Sequence, residues 1–280
     1  MTQDPAGRRR PPVSIIIAAT LIVILAVATV VGAVTVFQLP DAVTEDGKNV
    51  DLLYQAVLAV SFVVFFIVTA GIIWAIFRYR RVDDTIPEQV HGSSGLEAAW
   101  TVIPIIILVA LFVPSMVLLL DLKTPPDDAD VDLTVEAVGH QWWWEFKYVD
   151  DGVIVQRTPP KYPDYDSGES LDDLTPPALV VPVGQTIVVN VRSVDVVHSF
   201  SAPNTLYKLQ AIPGTINTLH MVIEEEGVYY GQCFQFCGLR HSDMLFVIDA
   251  RSPAEYEAWL AETQAAQGVT PQQTASREGR

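Results

Sequence analysis

The sequence predicts a membrane-anchored protein: N-terminal transmembrane α-helices, three candidates with the last two forming an antiparallel hairpin, followed by a C-terminal all-β domain. Three observations predict it. Half of the 280 residues are hydrophobic, yet the formal net charge is −16. Three long stretches without a single charge fall within the first 120 residues. From Asp121 onward the chain turns acidic, with 10 basic against 24 acidic residues, and apolar residues begin to alternate with polar ones. Such segregation argues against a wholly soluble protein. The acidic balance argues against a nucleic-acid partner, because phosphate is bound by a basic surface. Two cysteines are too few for a disulfide-stapled scaffold.

The uncharged runs are Val13 to Leu39, Leu52 to Phe77 and Ala98 to Leu120, of 27, 26 and 23 residues. About 20 apolar residues span the hydrocarbon core of a bilayer as a helix. The first run follows Arg8, Arg9 and Arg10 and reads either as an extra transmembrane helix or as a signal segment. It exceeds the roughly 7–15 apolar residues of a signal peptide, which favours a retained helix. Residues 1–51 therefore comprise a basic N-terminus, this first segment and an acidic external loop, and 52–122 the helical hairpin. Basic residues mark the cytoplasmic side. Arg8–Arg10 and the cluster Arg78-Tyr79-Arg80-Arg81 lie inside, which places everything after Asp121 outside. The expected setting is the plasma membrane of a bacterium or archaeon, with the lipid bilayer as one partner.

Residues 123–267 form the exported domain. Val131, Leu133, Val135 and Ala137 alternate with Asp132, Thr134 and Glu136; Ile187, Val189 and Val191 alternate with Val188, Asn190 and Arg192. That period of two marks half-buried strands, and Pro182-Val183-Gly184, Pro213-Gly214 and Glu226-Gly227 mark turns between them. The pattern is that of a β-sandwich or barrel. Residues 150–177, rich in Pro, Asp and Ser, read as a long acidic loop. Ser252, Pro253 and Glu255 form a helix start with a capping box, and Tyr256, Trp259 and Leu260 share the face that packs on the domain. The polar tail 268–280 reads as disordered.

The chemistry is concentrated in Gly231-Gln-Cys233-Phe-Gln235-Phe-Cys237-Gly-Leu-Arg-His241-Ser-Asp-Met244. Thiolate, thioether and imidazole ligands select copper or zinc. A blue-copper site uses one Cys, two His and an axial Met; here a second Cys is added, and His198, after a strong strand, offers the second imidazole. A His on an earlier strand is the usual cupredoxin arrangement. Two alternatives stand beside copper: a Cys233–Cys237 disulfide in an oxidising compartment, and a zinc site of two Cys and two His. The spacing of His241 and Met244 weighs against both. His140, beside the aromatic run Trp142-Trp143-Trp144, reads as a hydrogen-bonding group, and His220 as a structural strand residue. At least one of the three tryptophans reads as core.

With these motifs in view, the sequence resembles subunit II of a cytochrome c oxidase, in the haem–copper oxidase superfamily, over roughly Leu52 to Leu260. The resemblance rests on Cys233-x3-Cys237-x3-His241-x2-Met244 with His198, on Gly139-His140-Gln141-Trp142-Trp143-Trp144, on Leu96-Glu97-Ala98-Ala99-Trp100-Thr101-Val102-Ile103-Pro104, on Ala211-Ile212-Pro213-Gly214 and on Tyr229-Tyr230-Gly231-Gln232-Cys233. It implies a cupredoxin-like Greek-key barrel carrying a dinuclear copper A centre. It implies that Cys233 and Cys237 bridge two copper ions, His198 and Met244 completing one, and His241 and the backbone carbonyl of Gln235 the other. Trp142 would receive electrons from a donor, a cytochrome c or a small blue copper protein. Glu97 would stand at the mouth of a proton pathway into subunit I, although a carboxylate there also complements the helix dipole. Subunit I and other oxidase subunits are the implied partners, and oxygen is reduced in subunit I. Many members of the family carry Glu where Gln235 stands and use it for a magnesium or manganese ion; a neutral amide is a poorer ligand for a hard cation, so that ion is not expected. The positions flanking Ala-Ile-Pro-Gly, Gln210 and Thr215, also depart from the family pattern. Among rivals, a quinol oxidase subunit would lack the copper ligands. A copper A subunit of another superfamily enzyme, such as a nitric oxide reductase, would keep them. A copper chaperone or a disulfide-bonded structural domain would show no copper chromophore and no stable partner in the membrane.

Overall fold

The computed structural model describes residues 38–79, 91–124, 131–156 and 176–269, together with Val27 and Gln89. Nearly all of the first hydrophobic run, the arginine cluster before it, Arg80 and Arg81, most of the acidic loop and nearly all of the tail lie outside the described residues.

Two long helices are present among the described residues: α1, Glu45–Arg78, and α2, Ser94–Lys123. Each is long and apolar enough to cross a membrane. Their apolar side chains point outward all round, and no residue of α2 is buried by protein. A helix that is apolar on every side needs lipid or protein as its solvent. Pro104 and Pro114 lie inside α2, a placement that membrane helices tolerate better than soluble ones. Glu97 occupies the first turn, and its carboxylate accepts a hydrogen bond from the Ser93 backbone N–H at 3.2 Å.

The chain divides into two compact units: residues 1–39 with 55–92, and residues 40–54 with 93–280. In the second, the β domain is built from two five-stranded sheets. One sheet is ordered β3-β2-β1-β5-β8, from Val153–Gln156, Trp143–Tyr148, Leu133–His140, Thr186–Ser193 and Asn217–Val222. The other is ordered β4-β10-β9-β6-β7, from Ala178–Pro182, Leu245–Arg251, Gly227–Cys233, His198–Ser201 and Leu209–Ala211. Most neighbours are antiparallel, but β1 pairs β5 and β4 pairs β10 in parallel. Alternation is faithful on β5, where Ile187, Val189 and Val191 are fully buried. Tyr148 links the two sheets: its hydroxyl donates to the Val180 carbonyl at 2.7 Å and accepts from the Val180 N–H at 2.8 Å.

An aromatic wedge fills the core beneath one end of the sandwich. Trp144 and Phe146 of β2, Phe200 of β6 and Phe246 of β10 contact one another, with Phe200 and Phe246 stacked at 4.5 Å between centroids. Trp144 is the core tryptophan of the aromatic run. Phe246 fits because Gly231, across the ladder on β9, has no side chain; a Cβ there would lie 2.2 Å from the ring.

The closing helix α3 runs Pro253–Gln267 with the expected capping box: the Ser252 hydroxyl accepts from the Glu255 N–H, and the Glu255 carboxylate accepts from the Ser252 N–H. Tyr256 and Leu260 are buried, and Trp259 packs on Tyr148. One segment read as an external loop is instead docked on the domain. Val43 is buried, its N–H donates to the Asn204 carbonyl, its carbonyl accepts from the Glu224 N–H, and Lys48 pairs with Glu224. The few apolar residues of this polar run, Ala42, Val43 and Val50, form no helix or strand period, so this contact has no sequence signature.

Gly231→Ala is expected to destabilise the β domain by about 1–3 kcal/mol through overpacking against Phe246. Chemical denaturation of the full chain, followed by tryptophan fluorescence, measures it.

Candidate metal centre

The centre is assembled by three loops at the end of the sandwich above the aromatic wedge. Strand register sets the first pair of residues. Phe200 of β6 lies opposite Cys233 of β9, and the Phe234 N–H donates to the Ser199 carbonyl at 3.0 Å. His198, two residues before Phe200, is thereby held beside the loop that begins at Cys233. The strand β10 closes the loop from the other side, where the Cys233 N–H donates to the Met244 carbonyl at 3.0 Å. A 3-10 turn over His241–Asp243 then aims His241 and Met244 back at the cysteines; Arg240 and the buried Asp243 pair across this turn at 3.3 Å.

The resulting donor set is close-packed. Cys233 Sγ is 3.9 Å from His198 Nδ1, 3.2 Å from the Gln235 carbonyl oxygen and 3.9 Å from Cys237 Sγ. Cys237 Sγ is 3.6 Å from His241 Nδ1 and 4.0 Å from Met244 Sδ. His198, Cys233, Cys237 and Met244 are all buried. A disulfide bond needs about 2.05 Å between sulfurs, so the two cysteines stand here as separate thiols. The ligand atoms of His198, Cys233 and Cys237 lie within 4.8 Å of one another, close enough to share a metal ion.

Electrostatics divides the two thiols. Burial pushes the Cys233 thiol up, but the His198 hydrogen bond, backbone groups and the His198 charge outweigh it, and the net shift is downward. Burial and the Cys233 charge push Cys237 up to about 12. Both sulfurs can be thiolates at once only with a cation between them to offset their repulsion. The donor chemistry fits copper: two thiolates, two imidazoles, a thioether and a carbonyl form a soft, nitrogen- and sulfur-rich set.

The structure brings His198, Cys233, the Gln235 carbonyl, Cys237, His241 and Met244 together, with the Gln235 side chain exposed. Trp142 adjoins them: it is half-buried, and its indole N–H donates to the Cys237 carbonyl at 3.2 Å. Glu97 does not join the cluster. It sits at the start of α2, and the 30 residues of that helix span about 45 Å. His140, read as a hydrogen-bonding group, instead stacks on Trp143 at 4.0 Å, with Nε2 buried and without a hydrogen-bond partner.

Sequence reasoning missed four contributors. Asp195 accepts from His198 Nε2 at 2.8 Å, and Gln141 Nε2 donates to the Cys237 carbonyl at 2.8 Å. Gly139 makes room for His198: a Cβ there would lie 2.8 Å from the ring Cδ2. Gly238 adopts φ +124°, and a Cβ there would press on the Trp142 ring at 3.1 Å and on Gln141 Nε2 at 3.2 Å. The available signal was the Gly-x-Gln-Trp order of the aromatic run, whose alternate side chains serve the site rather than the core.

Comparison with known proteins shows the family. Residues 133–251 match the family model described as cytochrome c oxidase subunit II, periplasmic domain, and residues 32–118 match its transmembrane domain. Cytochrome c oxidase subunit 2 of Oenothera berteroana is 34% identical over 224 residues, covering 75% of this chain and 81% of the relative. The chain belongs to the cytochrome c oxidase subunit II family. Subunit 2 of Cereibacter sphaeroides is 33% identical over 211 residues, 69% of each chain. That of Alkalihalophilus pseudofirmus is 33% identical over 241 residues, 84% of this chain, which spans only 62% of that relative's length. Among solved structures, the periplasmic domain of subunit II of Bradyrhizobium japonicum cytochrome oxidase is 28% identical, with a TM-score of 0.42, over 51% of this chain and 99% of that one. As a member of the subunit II family, the chain is membrane-anchored, and its β domain is the periplasmic one.

Gly139→Ala is expected to displace His198 and weaken metal binding about tenfold or more, as loss of outer support for a ligand does. Gly238→Ala should do the same through the Cys237 side. Competition titration of the purified chain with a chromogenic copper chelator reads both.

Proposed function

We propose that the chain is the electron-accepting subunit of a respiratory cytochrome c oxidase. It takes electrons from an external cytochrome c-type donor and delivers them to the haem centres of subunit I, where oxygen is reduced to water with proton pumping. The observation that carries this reading is the donor set itself, six ligands of the type copper favours, within 4.0 Å of their neighbours and mostly buried. Cys233 and Cys237 would be shared by two copper ions, His198 with Met244 serving one and His241 with the Gln235 carbonyl the other. Copper so held would supply a one-electron carrier whose charge is spread over two metals.

The protein's part is to hold these ligands still. Ladder hydrogen bonds fix Cys233, the aromatic wedge supports His198 through Trp144 at 6.1 Å between rings, and burial keeps water from the sulfurs. A rigid donor set changes little between oxidation states, which lowers the reorganisation an electron transfer requires. Trp142 offers a short covalent and hydrogen-bonded route from the domain surface: half-exposed ring, indole N–H, Cys237 carbonyl, ligand. The excess of acidic residues beyond Asp121 attracts a basic donor and makes the encounter rate fall with salt. Glu97, in the first turn of α2, would serve proton uptake toward subunit I in the same complex. The setting is a bacterial or archaeal plasma membrane.

The full-length chain in detergent, loaded with copper, is expected to give a purple species whose single unpaired electron is shared by two copper nuclei in electron paramagnetic resonance. Cys237→Ser should abolish it; a spectrum of one isolated copper in the unsubstituted chain would refute the dinuclear reading. Trp142→Phe keeps a ring and removes the indole N–H. In the assembled complex it should slow oxidation of the donor cytochrome while copper content stays unchanged, as read by stopped-flow absorbance.

A further inference from the structure

Two residues with no ligand role connect the two sides of the cluster. The Asp195 carboxylate, in the loop between β5 and β6, accepts three N–H bonds. Oδ1 takes His198 Nε2 at 2.8 Å and the Val196 N–H at 2.6 Å. Oδ2 takes the Gln141 N–H at 2.6 Å, across to the turn between β1 and β2. From that turn the Gln141 side chain continues to the Cys237 carbonyl at 2.8 Å, in the loop between β9 and β10. The path is continuous: His198 ring, carboxylate, Gln141 peptide, Gln141 amide, Cys237 peptide.

Each end of this path leaves the ligating atom free. A carboxylate only accepts, so His198 Nε2 carries a proton, which leaves Nδ1, the nitrogen that faces Cys233 Sγ, as the ligand atom. The Cys237 carbonyl takes the amide and indole donors while Sγ turns inward. The space is built for it: at Gly238 a Cβ would lie 3.2 Å from Gln141 Nε2, and at Gly139 2.8 Å from the His198 ring. We propose that Asp195 and Gln141 are positioning residues that act as one hydrogen-bonded bracket, setting the distance between the His198 side and the Cys237 side of the metal centre before metal arrives. The metal part of this inference rests on the copper reading above.

Asp195→Asn separates the links. Its one carbonyl oxygen is drawn to the Oδ1 position, where the His198 and Val196 N–H groups and the Ser193 hydroxyl converge. Its NH2 then faces the Gln141 N–H, donor against donor, so the bridge to Gln141 breaks while the His198 bond is kept. Gln141→Leu cuts the other link at similar size. Two readouts on the full chain in detergent test the bracket. In the metal-free chain, nuclear magnetic resonance exchange measures protection of the Gln141 side-chain amide; the bracket predicts that Asp195→Asn, which never touches that amide, removes its protection. In the copper-loaded chain, each single substitution should raise the rate of copper loss to a chelator about tenfold, in line with outer-shell effects, and shift the visible absorption maximum. The double variant should be no worse than the worse single one, because both cut the same path. Should Asp195→Asn not fold, Gln141→Leu is read from the other end, by loss of exchange protection at His198 Nε2–H. A Gln141 amide that stays protected in Asp195→Asn, or loss rates that multiply in the double variant, would overturn the bracket. Intact coupling in a chain that takes up no copper would support the bracket and overturn the copper reading instead.

Discussion

The pairing of β6 with β9 is the constraint on which the rest depends. Only two ladder pairs, Phe200 with Cys233 and Ser201 with Gln232, join these strands. They place a histidine from the middle of the chain 3.9 Å from a cysteine 35 positions later. A slip of one residue would turn every side chain of β6 to the opposite face, carrying His198 away from the sulfurs and Phe200 out of the core. The wedge of Trp144, Phe146, Phe200 and Phe246 penalises that slip, so core packing and ligand geometry are enforced by the same side chains. Polar support then comes from above the wedge, through Asp195, Gln141 and the indole of Trp142.

Much of this was legible in the chain. Period-two runs located β1 and β5, Ser252-Pro253-x-Glu255 located α3, and the Cys-Cys-His-Met spacing located the cluster that His198 joins. What was not legible depends on non-local approach. Nothing in the sequence distinguishes Asp195 from the other acidic residues, because its value comes from three donors that arrive from two loops. The roles of Gly139 and Gly238 depend on which ring or amide comes near them, and that is decided by residues 59 positions away in the first case and about 97 in the second. Val43 docks on the domain from inside an acidic stretch for the same reason. His140 is the reverse case: a polar side chain read for its hydrogen bonds proves to be a stacking surface for Trp143.

The two solvents of the molecule explain its composition. The apolar helices α1 and α2 expose their side chains all round and are at home in lipid, while the β domain carries the acidic excess into water. The site lies in the watery part, yet its thiols, one imidazole and the thioether are buried. That placement suits the proposed role, in which a donor comes close while the ligands do not rearrange. Trp142 stands at the boundary, with part of its ring exposed and its N–H on a ligand's own peptide.

The central claim is that Cys233 and Cys237 together hold a pair of copper ions. Copper X-ray absorption spectroscopy of the loaded full-length chain, with metal content measured on the same sample, tests it most directly. The expected result is two copper ions per chain, each bonded to two sulfurs of the cysteine pair, with a copper–copper vector visible beyond the nearest ligands. One copper per chain without such a vector, or a copper-free chain whose two cysteines are oxidised to each other, would contradict it.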